Sequence, residues 1–286
     1  MYERYRPYIL ISPALIVILV LFIGGLVFGL ARSFNYFPLI GLTDPNLDAY
    51  RSLFTSTGFL RSLALTLWIA LASTFISMAI AIGIGLVLRE SFRGRRASTF
   101  LFQLNLPIPH IVGAIGILFL FTQGGFISRI AHSINLIDQP SQFPELVFDK
   151  YAIGIILEYV WKEIVFIGVV VIAILASIGD DYEELAQTLG ANAWQRFRYV
   201  LLPLLLPGVL SVSVIVLAFS FGAFEIPFML GRSFPQALPV LAVRNYTNPD
   251  LNQRPEAMAT AIVIAILSTI LIFIYMGISR RVVRSD

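Results

Sequence analysis

The chain has 286 residues, 58% of them hydrophobic and only 13% charged, where soluble globular domains carry about 25% charged residues. That apolar excess is too large for one ordinary core, so the composition excludes a soluble domain and points to lipid. A net charge of +3 with no block of Lys and Arg excludes a nucleic-acid partner, the absence of cysteine excludes disulfides and thiolate metal sites, and His110 and His132 alone are too few for a His-based metal centre.

Crossing the hydrocarbon takes about 20 apolar residues in a helix. The first apolar stretch, residues 8–30, is longer than a signal-peptide core and lacks a small-x-small cleavage site. It reads as a retained anchor. Five more follow at residues 59–88, 100–122, 152–177, 208–230 and 257–279. They are too long for barrel strands and do not alternate, and in lipid a segment must satisfy its own backbone groups. The expected fold is therefore all-α, a polytopic membrane protein with six transmembrane helices. The connectors at 31–58, 123–151 and 231–256 are rich in Pro, Asn, Asp and Gly and too short for domains. No internal repeat or low-complexity segment is present, so one membrane domain, residues 1–286, is expected.

Six spans put both termini on one side. That side carries Arg4 and Arg6, then Arg89, Arg93, Arg95 and Arg96, then Arg196 and Arg198, and finally Arg280, Arg281 and Arg284. The other side spreads Arg32, Arg51, Arg61, Arg129, Lys150, Arg232, Arg244 and Arg254 over longer loops. By density of positive charge the termini are cytoplasmic.

Ionisable groups inside spans are costly and invite an explanation. On the fourth stretch Glu158 and Lys162 are four apart with Glu N-terminal, which predicts an ion pair on one helix face, with Glu163 beside it. On the fifth, Glu225 lies among Phe221, Phe224 and Phe228, with Pro227 two residues on, where a proline would free backbone carbonyls. Glu225, Phe224, Phe221 and Glu158 are the candidates for a solute path. A carboxylate paired with a cation from another span is the plainer reading. Asn105, Pro107, Pro109 and His110 make an irregular start to the third stretch, either a flexing kink or a simple helix start. Gly83, Gly85, Gly113 and Gly116 suit close helix packing.

The second connector on the terminal side, residues 179–203, is unusually long and reads as two short helices broken at Gly190. Asp180, Asp181, Glu183 and Glu184 place negative charge in the first turn, where the helix dipole favours it. Ala186, Gly190, Ala191 and Ala193 are small enough for another surface to approach. Trp194, Phe197, Val200 and Leu201 supply an apolar face, and Pro203 and Pro207 are expected to end the segment and re-aim the chain into the fifth span. Physical reasoning leaves two readings open: an interfacial helix resting on the headgroups, or a helix pair that docks a partner.

The spacing resembles the cytoplasmic signature of permeases in binding-protein-dependent ABC importers: Glu-Ala-Ala, three residues, Gly, nine residues, then Ile-x-Leu-Pro. Here it reads Glu184-Leu185-Ala186, Gly190 and Val200-Leu201-Leu202-Pro203, with every interval in register and apolar departures at Leu185 and Val200. The likeness extends to Trp161-Lys162 and to Phe221–Pro227, and is closest in order and spacing to permeases of the polyamine, sulfate and ferric-iron importers. The resemblance implies a coupling-helix pair seated on a cytoplasmic ATPase, with Glu184, Ala186, Gly190, Ala191, Leu202 and Pro203 as coupling residues. It implies a second permease subunit, two ABC ATPases that bind ATP and Mg, a periplasmic or lipid-anchored binding protein, and a place in a bacterial inner membrane. The chain has no Gly-x-x-x-x-Gly-Lys-Ser/Thr to hold phosphates, so no cofactor and no catalysis are expected in it. The acidic residue in the fifth stretch leans toward a polyamine or other small cation. A stand-alone secondary transporter or channel is the alternative, although no repeated halves are evident. An intramembrane enzyme lacks its motifs.

Overall fold

The computed structural model describes residues 2–89, 93–179 and 181–284; Asp180 and the side chains of Arg4, Arg281 and Arg284 lie outside the described part. Its helices are α1 (Tyr2–Ser33), α2 (Asp48–Thr55), α3 (Thr57–Arg89), α4 (Arg95–Gln103), α5 (His110–Phe121), α6 (Phe126–Ser133) and α7 (Ile153–Ile178). Then come α8 (Asp181–Thr188), α9 (Ala193–Arg196), α10 (Leu202–Gly222), α11 (Glu225–Leu230), α12 (Leu238–Tyr246) and α13 (Arg254–Arg284). Among the described residues the only β pairing is an isolated bridge between Phe37 and Leu42. The all-α expectation holds.

Six helical stretches are long and apolar enough to cross a membrane: Arg6–Ser33, Thr57–Arg89, His110–Ser133, Ile153–Ile178, Ala193–Gly222 and Leu251–Arg280. Four match the sequence reading within a few residues. The third does not begin at residue 100, because α4 stops at Gln103 and the chain is irregular until α5 starts at His110. Pro107 and Pro109 remove the donors that a continuous helix would need there. The fifth is displaced toward the N-terminus. Pro203 and Pro207 do not end the preceding segment: α9 runs through a π-helical stretch, Phe197–Leu201, directly into α10, with Pro203 in its first turn and Pro207 inside it. A π turn is wider than an α turn, and here it sits just before Pro203, where the ring would otherwise crowd a carbonyl one turn back. The span then finishes at Gly222, so Glu225 lies beyond it in the separate helix α11.

The described chain divides into two compact units, Met1–Leu60 with Leu238–Ile266, and Arg61–Ala237 with Leu267–Asp286. In the first, α1 exposes nearly all of its apolar surface, with only 6% of its most hydrophobic window buried. A helix apolar on every side is made for lipid or another helix, not water. At its end the Arg32 guanidinium lies 3.9 Å from the Phe28 ring and 4.0 Å from the Phe37 ring.

The second unit is organised around α7. Its start is fixed by Asp149, whose carboxylate accepts the Tyr151 N–H at 2.6 Å and the Ile153 N–H at 2.7 Å, satisfying donors that a helix start leaves open. Three neighbours approach α7 at glycines. A Cβ at Gly85 of α3 would come within 2.4 Å of Val171, one at Gly113 of α5 within 2.6 Å of Trp161, and one at Gly208 of α10 within 2.3 Å of Ile174. By contrast Gly83 and Gly116 have open space. In lipid, helices gain by van der Waals packing rather than by escape from water, and small residues let backbones close up. Ile167, Val171 and Leu175 of α7 accordingly pack with Leu205 and Val209 of α10 in a buried cluster.

Candidate functional site

Two regions of the second unit carry the candidate residues. The first is the helix pair α8–α9. The chain leaves α8 by a Schellman turn: the Gly190 N–H donates to the Gln187 carbonyl at 2.9 Å and the Ala191 N–H to the Ala186 carbonyl at 3.0 Å. Gly190 has φ +85°, a left-handed conformation that costs a residue with a Cβ about 1–2 kcal/mol. A Cβ there would meet nothing within 4 Å, so within this chain Gly190 is required by the turn and not by crowding. Two residues later Asn192 opens α9 with a capping box: its side chain accepts the Gln195 N–H at 2.9 Å, and the Gln195 side chain accepts the Asn192 N–H at 2.8 Å. The pair is therefore closed at the bend from both sides by local hydrogen bonds.

The expected residues fall where a docking surface needs them. Glu184, Gly190, Leu185 and Leu189 are exposed, Leu189 at 82%, and Trp194 of α9 at 67%. Ala186 and Ala191 are half-buried under the turn they close, and Leu202 and Pro203 are half-buried at the start of α10. Sequence reasoning assigned Glu183 only to the helix dipole. In the structure its carboxylate pairs with Arg89 at the end of α3, and Arg196 of α9 approaches it at 3.7 Å.

The second region is a polar cluster inside the bundle. Lys162 does not pair with Glu158, the partner four residues back. Its Nζ donates to the carbonyls of Asn105 at 2.8 Å, Leu106 at 3.4 Å and Ile108 at 2.6 Å. The normal helical partner of the Asn105 carbonyl would be the N–H of residue 109, which is a proline, so the lysine supplies what the break removes. Asn105 Nδ2 in turn donates to the Trp161 carbonyl at 2.7 Å. The irregular backbone between α4 and α5 is thereby held as a fixed break, not a simple helix start.

Glu158, fully buried, faces His110 of α5 with Oε1 3.2 Å from Nδ1, while its Oε2 has no hydrogen-bond partner. Glu163 accepts hydrogen bonds from Ser77 of α3, at 3.1 Å, and from Ser220 of α10. One carboxylate thus ties three helices. Pro107, Ile108, His110, Lys162, Glu163 and Phe219 line a cavity of about 420 Å³. Of the other path candidates, Phe221 is fully buried, Phe224 stacks on Phe228 with centroids 5.0 Å apart, and Glu225 is exposed at the start of α11. Pro227 falls in the first turn of α11, where its missing N–H frees no carbonyl. Serines inside apolar runs were visible at Ser77 and Ser220, but nothing local says which carboxylate they serve.

A six-span bundle carrying an external helix pair and a polar interior is the architecture of a membrane transport subunit. The family of binding-protein-dependent transport system inner membrane components matches residues 77–285. This chain belongs to that family and is a permease of the ABC importer type. It is 28% identical to the molybdenum transport system permease protein ModB of Mycobacterium tuberculosis, over 80% of this chain and 82% of the relative. To the inner membrane ABC transporter permease protein YcjO of Escherichia coli it is 26% identical, over 91% and 89%. A crystal structure of a bacterial ABC transporter involved in the import of the acidic polysaccharide alginate superposes with a TM-score of 0.82 at 21% identity, over 98% of this chain and 97% of that one; at that identity it speaks for the fold.

Proposed function

We propose that this chain works as a single permease domain that forms one half of a translocation path, completed by a second, similar permease subunit. Residues 179–203 act as its coupling element, seated on a cytoplasmic ABC ATPase. Glu184, Ala186, Gly190, Ala191, Leu202 and Pro203 carry the coupling, ATP and Mg reside on two partner ATPases, and a periplasmic or lipid-anchored binding protein delivers solute from outside. The observation that supports this best is the locally locked α8–α9 pair with Leu185, Leu189 and Trp194 exposed on it. A surface of that kind is expensive to leave in water and suits a partner groove. The density of Arg at the ends of α3 and α13 supports cytoplasmic termini.

For the solute, an exposed Glu225 with no ion pair among the described residues supports a small cation, with Phe224, Phe221 and Glu158 nearby in the proposed path. The chain contains no cysteine, so a single Leu189→Cys variant can be labelled without background. In purified importer it is expected to cross-link to the ATPase. A cross-link confined to lipid, or none, returns α8–α9 to an interfacial anchor.

A further inference from the structure

The ends of α3, α7 and α8 meet at a small charged knot that the coupling role as proposed does not use. Beyond α7 the chain passes through Gly179, whose φ of +69° and ψ of −165° belong to a region open essentially to glycine alone. A turn of this kind sets the direction of α8 but gives no side chain to brace it. The brace comes from α3. Arg89, its last residue, donates through Nη2 to the Gly179 carbonyl and through Nη1 to the Glu183 carboxylate. It therefore grips the chain on both sides of the exit from α7. The other oxygen of Glu183 faces Arg196 Nε of α9 at 3.7 Å.

The side chains of Arg89 and Glu183 are 13% and 23% exposed. That degree of shelter distinguishes the pair from an exposed ion pair, which salt and side-chain entropy reduce to almost nothing. Arginine suits the position because its planar fork can hold a carboxylate and a carbonyl together, which a lysine ammonium cannot do with the same geometry.

The geometry points to Glu183 and Arg89 as a clamp that makes α8 and α9 move as one body with the end of α3, so that displacement of the coupling element reaches the second span directly. This rests on the coupling reading above. Glu184, the neighbouring carboxylate, faces outward and is available to a partner; Glu183 faces inward and positions the pair. The two adjacent acids therefore have different tasks. A connector made of Gly179 alone would let the helix pair tilt while the spans stood still, and hydrolysis would then proceed without transmitted motion. Coupling through a packed, two-state element requires stiff joints between its parts.

The test uses the assembled importer, purified through a tag on this chain, with spin labels at Val87→Cys on α3 and Gln187→Cys on α8. The Val87–Gln187 separation is measured by pulsed electron resonance, without nucleotide and with ATP trapped by vanadate. With Glu183 and Arg89 intact, one narrow distance distribution is expected in both states. Glu183→Gln keeps the side-chain shape, and Arg89→Gln breaks the same contact from the other side. Either is expected to retain the ATPase but to lose the narrow distribution, with a nucleotide-dependent shift appearing. An unchanged distribution in both variants, or a wild-type separation that itself shifts with nucleotide, overturns the clamp. Cross-linking at Leu189 separates the two ideas: an absent cross-link sinks the docking reading, whereas a retained cross-link with unchanged variant distances sinks the clamp alone.

Discussion

The helix pair α8–α9 and the polar cluster around α7 are built on opposite principles. The pair is assembled from neighbours in sequence: Ala186 to Ala191 across the Schellman turn, Asn192 to Gln195 in the capping box. Its apolar residues are left outside, where they gain nothing until a partner covers them. The cluster is assembled from residues far apart in sequence. Lys162 reaches Asn105 and Ile108, and Glu163 joins Ser77 to Ser220. All of its polar groups point inward, because hydrocarbon offers them nothing. One region keeps its shape alone and waits for a partner; the other exists only when the bundle is closed. A machine that converts motion at its surface into rearrangement inside needs both.

This contrast can be broken first at Lys162. Lys162→Met keeps the length of the side chain but leaves carbonyls at the break without a donor, each worth about 1–3 kcal/mol when buried unsatisfied. A marked fall in the thermal unfolding temperature of the detergent-purified chain is expected. An unchanged value would mean that water already serves the break. Gly190→Val comes next, because a β-branched residue in the left-handed turn costs somewhat more than the ~1–2 kcal/mol of an ordinary side chain. The protein should still insert and unfold near the wild-type temperature, while co-purification of the ATPase drops severalfold. Full retention would count against docking at the turn. Asn192→Ala removes one cap, at a cost of about 1 kcal/mol, and should weaken retention of the ATPase less than Gly190→Val does, as read by the salt concentration that strips it. The smallest structural effect is expected for Glu225→Gln, which should leave assembly and stability intact while changing transport of a small cation such as putrescine in reconstituted vesicles. Equal uptake rate and apparent affinity would remove Glu225 from the path.

Legibility in the sequence follows the same division. The bend at Gly190 and both ends of the pair are local motifs, so the spacing from Glu184 to Pro203 was enough to place them. The Asn192-x-x-Gln195 cap was equally readable as a motif, although the break at Gly190 was placed without it. The pairing of Lys162 was not readable. The four-residue spacing from Glu158 favours a local ion pair, and that rule holds for an isolated helix, where no better acceptor competes.

By itself, then, the sequence determined the apolar spans, the all-helical class, the coupling motif and the need for glycine at its turn, because each depends on the properties of a few consecutive residues. Tertiary structure alone decided where the third span breaks, that Pro203 and Pro207 are carried inside a continuing helix, that Glu225 falls past the end of the fifth span, and that Arg89 grips Glu183. The physical reason is that a backbone carbonyl or carboxylate in hydrocarbon takes the best donor within reach. Which donor is within reach depends on how the helices pack.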